Sequence, residues 1–256
     1  MDKVAKVINN GRVTEPDFPA CFKMSGTVIT GCDKDEIPDD LVIPNGVTEI
    51  GAEAFKKCMY LESVAIPDSV TKIGAVAFWK CTLLKSVTIP NSVTTIGYGA
   101  FARCESLASV SIPDSVTTIG DWAFCYCKSL TSVTIPNSVT TIGDFAFTGC
   151  ESLASVTVPN SVTTIGGEAF YSCGSLVSVT IPNSVTTIGD WAFHGCESLV
   201  SVTIPNSVTT IGEEAFCSCT SLTSVTYTGT KVQWDAIEKV NIGSFTVHCT
   251  DGDVSR

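Results

Sequence analysis

Thirteen cysteines give this 256-residue chain most of its capacity for chemistry. Thiolates bind metals, attack electrophiles and pair as disulfides. Eight of them, Cys58, Cys81, Cys104, Cys127, Cys150, Cys173, Cys196 and Cys219, fall 23 residues apart. If the chain coils once per period, these thiols stack about 4.8 Å apart, as neighbouring strands do. Equivalent residues in stacked coils point the same way. Their Cβ atoms then stay near ~5 Å apart, beyond the roughly 3.5–4.5 Å of a disulfide. A column of small buried thiols fits this spacing, not a ladder of bonds. Cys125 with Cys127 and Cys217 with Cys219 resemble ligand pairs, but they lie four coils apart with no His beside both. Cys21 and Cys32 flank an expected hairpin and are a candidate pair for one disulfide.

The other reactive groups assemble into nothing recognisable. A Ser–His–Asp arrangement would need His194 or His248 beside a unique serine. His194 instead stands at a position where other units carry Lys, Trp, Ala, Cys, Thr or Tyr. The acidic run of Asp33, Asp35, Glu36, Asp39 and Asp40 lacks the Gly and the terminal Glu of an EF-hand loop and is a solvated turn. No phosphate-binding glycine loop is present. No catalytic residue, metal ligand or cofactor is assigned, and the chain is expected not to be an enzyme.

What varies along the chain is aromatic. Trp79, Tyr98, Trp122, Tyr126 and Phe145 fall on four neighbouring units, with Tyr171, Trp191 and His194 further on. Large rings are usually substantially buried, so these can simply pack between coils and close a wall. Alternatively, the first five form an aromatic-rich contact strip for a ligand.

The elements that position these groups come from one repeated phrase. SVTIPNSVTTIG occurs at 86–97, 132–143, 178–189 and 201–212. Counting Leu84 as position 1, proline recurs every 23 residues from Pro44 to Pro205. Seven full units run over 61–221, after a partial unit at 41–60. A fixed short period is the mark of a solenoid. S-V-T-I alternates and is β-branched, which predicts a strand with Val87 and Ile89 inward. Pro-Asn-Ser is a turn. V-T-T-I-G predicts a second short extended piece. Ala100, Phe101 and Cys104, three or four apart, predict one helical turn. Asp121, Asp144 and Asp190 stand where they would cap it. One coil cannot offset the entropy of ordering itself, so stability must come from stacking on neighbours.

LTSVTIPNSVTTIGDFAFTGCES, residues 130–152, resembles the BspA-like leucine-rich repeat. The resemblance spans roughly 41–227, with I/V-P, V-T-x-I-G, A-F and Cys in register. It implies an α/β repeat solenoid: a curved, right-handed leucine-rich-repeat superhelix with a parallel β-sheet and short helical turns, capped at both ends. Residues 1–20 match nothing in the repeat and are expected to be loosely ordered. Residues 21–40, containing FKMSGTVITG, are expected to be an N-terminal cap hairpin. Residues 41–221 form the solenoid. Residues 222–256, where Trp234, Ile237 and Val240 recur at helical spacing, are expected to be the C-terminal cap.

The net charge of −11, with only Arg103 and Lys128 basic between Val87 and Thr230, excludes a phosphate-neutralising stripe and so a nucleic-acid partner. No apolar run approaches the roughly 18 residues of a membrane-spanning helix, and no membrane insertion is expected. The first residues carry no secretory h-region, so a cytoplasmic location stays open. The resemblance implies a cell-surface or secreted protein that binds a protein or glycan ligand, and a monomer is expected. The alternatives are an intracellular protein-interaction scaffold, which unpaired thiols favour, and a structural spacer within a larger adhesin.

Overall fold

Valine between two small hydroxyl residues makes the recurring strand. The computed structural model describes residues 19–254 in full, and the backbone alone at 7–9, 12–14 and 255. In Ser86–Thr88, as in every equivalent triplet, Val87 is buried while Ser86 and Thr88 face solvent. A second strand, such as Thr95–Ile96, buries its isoleucine in the same way. Each unit thus lays one strand in each of two sheets, and both sheets have eleven strands. Pairing between repeats is parallel and in register: Val110 lies opposite Val87 and Val133, and Ile119 opposite Ile96 and Ile142.

Between the sheets runs one continuous core. In the coil that begins at Leu130, the residues Leu130, Val133, Ile135, Val139, Ile142, Ala146, Phe147 and Cys150 are all buried. The phenylalanines Phe55, Phe78, Phe101, Phe124, Phe147, Phe170, Phe193 and Phe216 form a column with ring centroids 5.1–5.6 Å apart, each ring nearly parallel to the next. Edge-on rings terminate it, Phe22 at 5.9 Å and Phe245 at 6.2 Å. Such pairs add about 0.5–1.5 kcal/mol each beyond their burial.

Hydroxyls tie coil to coil. Position-9 serines donate to the position-10 carbonyl of the preceding coil, as Ser138 Oγ does to Val116 O at 2.6 Å. Position-11 threonines such as Thr163 donate to Thr140 O at 3.4 Å. These bonds account for much of the serine and threonine content without any catalytic role. Gly143 permits the close approach, since a Cβ there would stand 2.7 Å from Asp121 N.

Two expectations need correction. The stretch from position 15 to 21 is not a helical turn. Two of its residues reverse backbone hand: position 16 and position 20 are left-handed in coil after coil, as at Trp122 (φ 61°) and Tyr126 (φ 57°). Amides at positions 16, 18 and 20 then bond outward to the next coil, as Phe124 N does to Ala146 O at 2.9 Å, while those between turn back three residues. This places Ala, Phe and Cys inward at the spacing a helix would give, without a helix. The one α-helix among the described residues is Lys231–Ala236, capped by Thr230 and Gln233.

Nor is the expected capping borne out. Both end segments carry the sheets onward. Val28–Cys32 pairs in parallel with Glu49–Ile50, and Asp40–Val42 with Ser63–Ala65. At the other end Ser224–Tyr227, Glu238–Lys239 and Thr246–Cys249 each add a parallel strand. Within the two eleven-stranded sheets, antiparallel pairing enters only with Phe22–Ser25 and Gly252–Ser255. The helical spacing read over 234–240 stops early: Ile237 is already extended and Val240 is exposed, because the chain turns to pair with Thr210–Ile211. The expectation for 1–20 falls largely outside the described residues; within it, Val7–Asn9 and Arg12–Thr14 pair antiparallel.

Candidate functional site

Four of the aromatic side chains, Trp122, Tyr126, Phe145 and Trp191, stand at left-handed positions that elsewhere hold charged or polar residues such as Glu53, Lys80, Glu168 and Ser218. Glycine adopts positive φ freely, and Gly99, Gly149 and Gly195 do so in some coils. Other coils place Val76, Trp122, Tyr126, Phe145 or Trp191 there instead, at φ between 48° and 61°. For residues with a Cβ this backbone costs about 1–2 kcal/mol each.

Three of the five expected contact residues come together. Trp122 stacks on Phe145 at 4.4 Å with 20° between the planes, and Tyr98 lies tilted against Trp122 at 6.5 Å. Tyr98 is 53% exposed, and the other two are half-buried. Tyr126 does not join them. Its ring covers Gly149 and takes the Arg103 guanidinium on its face at 4.7 Å. The helical spacing from Trp122 to Tyr126 implied a shared face, and the left-handed backbone at both residues removes it. Trp79 stands in different company, with the ammonium groups of Lys56, Lys57 and Lys80 5.5–6.0 Å from its ring.

A second cluster was less visible from the sequence. His194 lies between Tyr171 at 5.2 Å and Trp191 at 4.7 Å, with Nδ1 3.5 Å from a Glu214 oxygen. An open groove of about 550 Å³ beside it is lined by Glu151, Tyr171, Ser172, His194, Glu197 and Ser218, among others. The signal was there in position 19 of two neighbouring coils, Tyr171 and His194, which stacking makes adjacent, with Trp191 at position 16 of the second.

The expected caps of the outer stretch act across coils. Asp121 Oδ1 accepts from Asp144 N at 3.0 Å, Asp144 Oδ1 from Gly167 N at 2.7 Å, and Asp190 Oδ1 from Glu213 N at 2.7 Å. Each aspartate serves the amide 23 residues on rather than its own turn.

All thirteen thiols are free. From Cys81 to Cys219, each position-21 Sγ donates to the carbonyl of the phenylalanine 26 residues earlier, as Cys150 does to Phe124 at 3.3 Å. Burial pushes the thiols of Cys81 and Cys173 up to about 12, and those of Cys104, Cys127 and Cys150 well above the usual range. Cys32 makes no pair with Cys21; its sulfur meets Cys58 instead. Among the described residues no three His, Cys, Asp or Glu groups gather as a metal site. No helix among them is long and apolar enough to cross a membrane.

Two parallel sheets, a stacked phenylalanine column and an outer wall that differs from coil to coil define a leucine-rich-repeat scaffold. The chain belongs to the BspA-type leucine-rich repeat family, whose model matches residues 36–154 and 140–251 with six copies. Among solved structures, a leucine-rich repeat protein from Bacteroides ovatus is 27% identical over 98% of this chain and 70% of its own, with a TM-score of 0.68. The T. pallidum leucine-rich repeat protein is 27% identical over 88% of this chain and 99% of its own, with a TM-score of 0.59. A search of curated proteins gives no match.

Proposed function

We infer that this protein is a non-enzymatic binding and adhesion scaffold, acting at or outside the cell surface on a protein or glycan ligand. The contact strip is the aromatic outer wall, with Tyr98, Trp122 and Phe145 at its centre and Trp79 and Tyr126 to its sides. One observation carries this reading: Trp122 and Phe145 stack on each other from a left-handed backbone position that other coils give to Gly99, Glu53, Glu168 or Glu214, with half-exposed Tyr98 against them. A half-exposed tyrosine against a tryptophan–phenylalanine stack offers rigid apolar area with a polar rim, the composition of binding hot spots. Family membership supports a binding scaffold in general, and the ligand class and location are inferred here. An intracellular interaction scaffold is the second reading, favoured by thirteen unpaired thiols.

The test uses matrix-protein and glycan arrays probed with the wild type and with Trp122→Gly/Phe145→Gly. Glycine suits the φ of 61° and 58° at these sites, so the rings leave without straining the backbone. Loss of about 2 kcal/mol or more of binding is expected. A parallel variant, Thr134→Glu/Thr157→Glu/Thr180→Glu, blocks the exposed sheet face and is expected to bind normally. The opposite pattern would move the site to the sheet.

A further inference from the structure

Cys58 breaks the rule that governs the rest of its column. Each later position-21 thiol, from Cys81 to Cys219, has a phenylalanine carbonyl as its acceptor, 26 residues back. For Cys58 the residue 26 back is Cys32, and what lies in reach is a second sulfur, Sγ to Sγ 3.3 Å. The stacking geometry that keeps equivalent thiols apart does not apply, because Cys32 is not an equivalent of Cys58. It ends the strand Val28–Cys32 and stands, 26 residues before Cys58, where the later coils carry their core phenylalanine.

We propose that Cys32 and Cys58 are a thiol-oxidation site that takes a low-molecular-weight disulfide as its oxidant and closes into an intramolecular disulfide. The Cys32 thiolate attacks one sulfur of the small disulfide, forming a mixed disulfide and releasing one small thiolate. Cys58 gives its proton to solvent, and its thiolate attacks the Cys32 sulfur and expels the second small thiol. Two protein thiols are oxidised and one small disulfide is reduced to two thiols.

The order of attack follows from the surroundings. The contact with Cys58, aided by Lys34 and Lys23, holds the Cys32 thiol below the usual range. The same contact, with burial, pushes Cys58 up. Cys32 is therefore the thiolate that reacts first. Both sulfurs are buried, so entry requires opening. The strand Phe22–Ser25, which covers Val28–Cys32, is the outermost strand of its sheet, and terminal elements open at the lowest cost. The bond would join this end hairpin to the coil that carries Phe55 and Cys58.

The test is incubation of the native full chain with excess oxidised glutathione, alkylation of remaining thiols and peptide mapping by mass spectrometry. The expected product is a single cross-link, Cys32 to Cys58, with the part-exposed Cys217 and Cys249 alkylated in the native chain and the other nine cysteines only after denaturation. Amide exchange over 22–32 is expected to slow by about tenfold or more, reversibly with dithiothreitol. Cys58→Ser abolishes the cross-link, and Cys81→Ser leaves it intact. A cross-link between Cys21 and Cys32, a cross-link elsewhere in the column, or no cross-link at all overturns the assignment.

Discussion

Val76 sits at φ 48°, where a β-branched residue is least at ease. Val76→Gly relieves that backbone at the cost of chain entropy in the unfolded state, and a gain of about 0.5 kcal/mol is expected as a higher urea midpoint. The buried thiols make a stronger claim about pH. Except at Cys32 and Cys219, their folded pKa values lie above those of the unfolded chain, so the unfolded state sheds protons first as pH rises. Stability is therefore fully present below about pH 8.5 and falls above it. The five thiols Cys81, Cys104, Cys127, Cys150 and Cys173 all act in this direction, and the denaturant midpoint is expected to fall steeply above about pH 9. Denaturant melts at pH 7, 9 and 10 will show it. A flat profile would mean that the thiols ionise as freely in the fold as out of it.

At the level of the strand and the turn, spacing between coils is set by Gly143 and its equivalents. Gly143→Ala puts a Cβ 2.7 Å from a backbone nitrogen of the coil before, and the two coils must separate. A loss of about 2–3 kcal/mol is expected. Ser138→Ala removes only one hydroxyl tie and is expected to cost about 1 kcal/mol. Calorimetry of both variants separates steric from hydrogen-bonding control of the stack. The strands were legible in the sequence, because S-V-T-I alternates with the period of a strand. So was the inward set of Ala, Phe and Cys. The backbone that delivers them was not, because side-chain periodicity records which residues face the core and says nothing about the sign of φ. Trp122 and Tyr126 hide a left-handed backbone that only Gly99, Gly149 and Gly195 mark at the same positions of other coils. The same blindness misplaced the aspartates, whose partners lie 23 residues away, and joined Tyr126 to Trp122. Cys32 was paired with Cys21 by proximity in sequence, when its nearest sulfur belongs to the next coil.

For the molecule as a whole, removing one period should be tolerated. Deleting 130–152 joins Ser129 to Leu153, sets Phe124 against Phe170 and gives Asp121 the amide of Gly167 that Asp144 now holds. A cooperative but weaker unfolding transition and an unchanged β-type circular dichroism spectrum are expected. Deleting 130–151 instead shifts every inward residue by one, and that chain is expected to aggregate. Interchangeability has a kinetic side. A coil whose upper and lower faces match those of its neighbours has no means of telling the right neighbour from the next one along. A chain that skips a coil while folding forms a stack locally as good as the native one and ejects a loop of one period. Interior phenylalanines cannot correct such an error. The two rings that meet the column edge-on, Phe22 and Phe245, can, since each fits only the terminal coil. They act as the first and last marks on an otherwise unnumbered ruler, and a chain lacking either is expected to refold into several slowly interconverting registers rather than one.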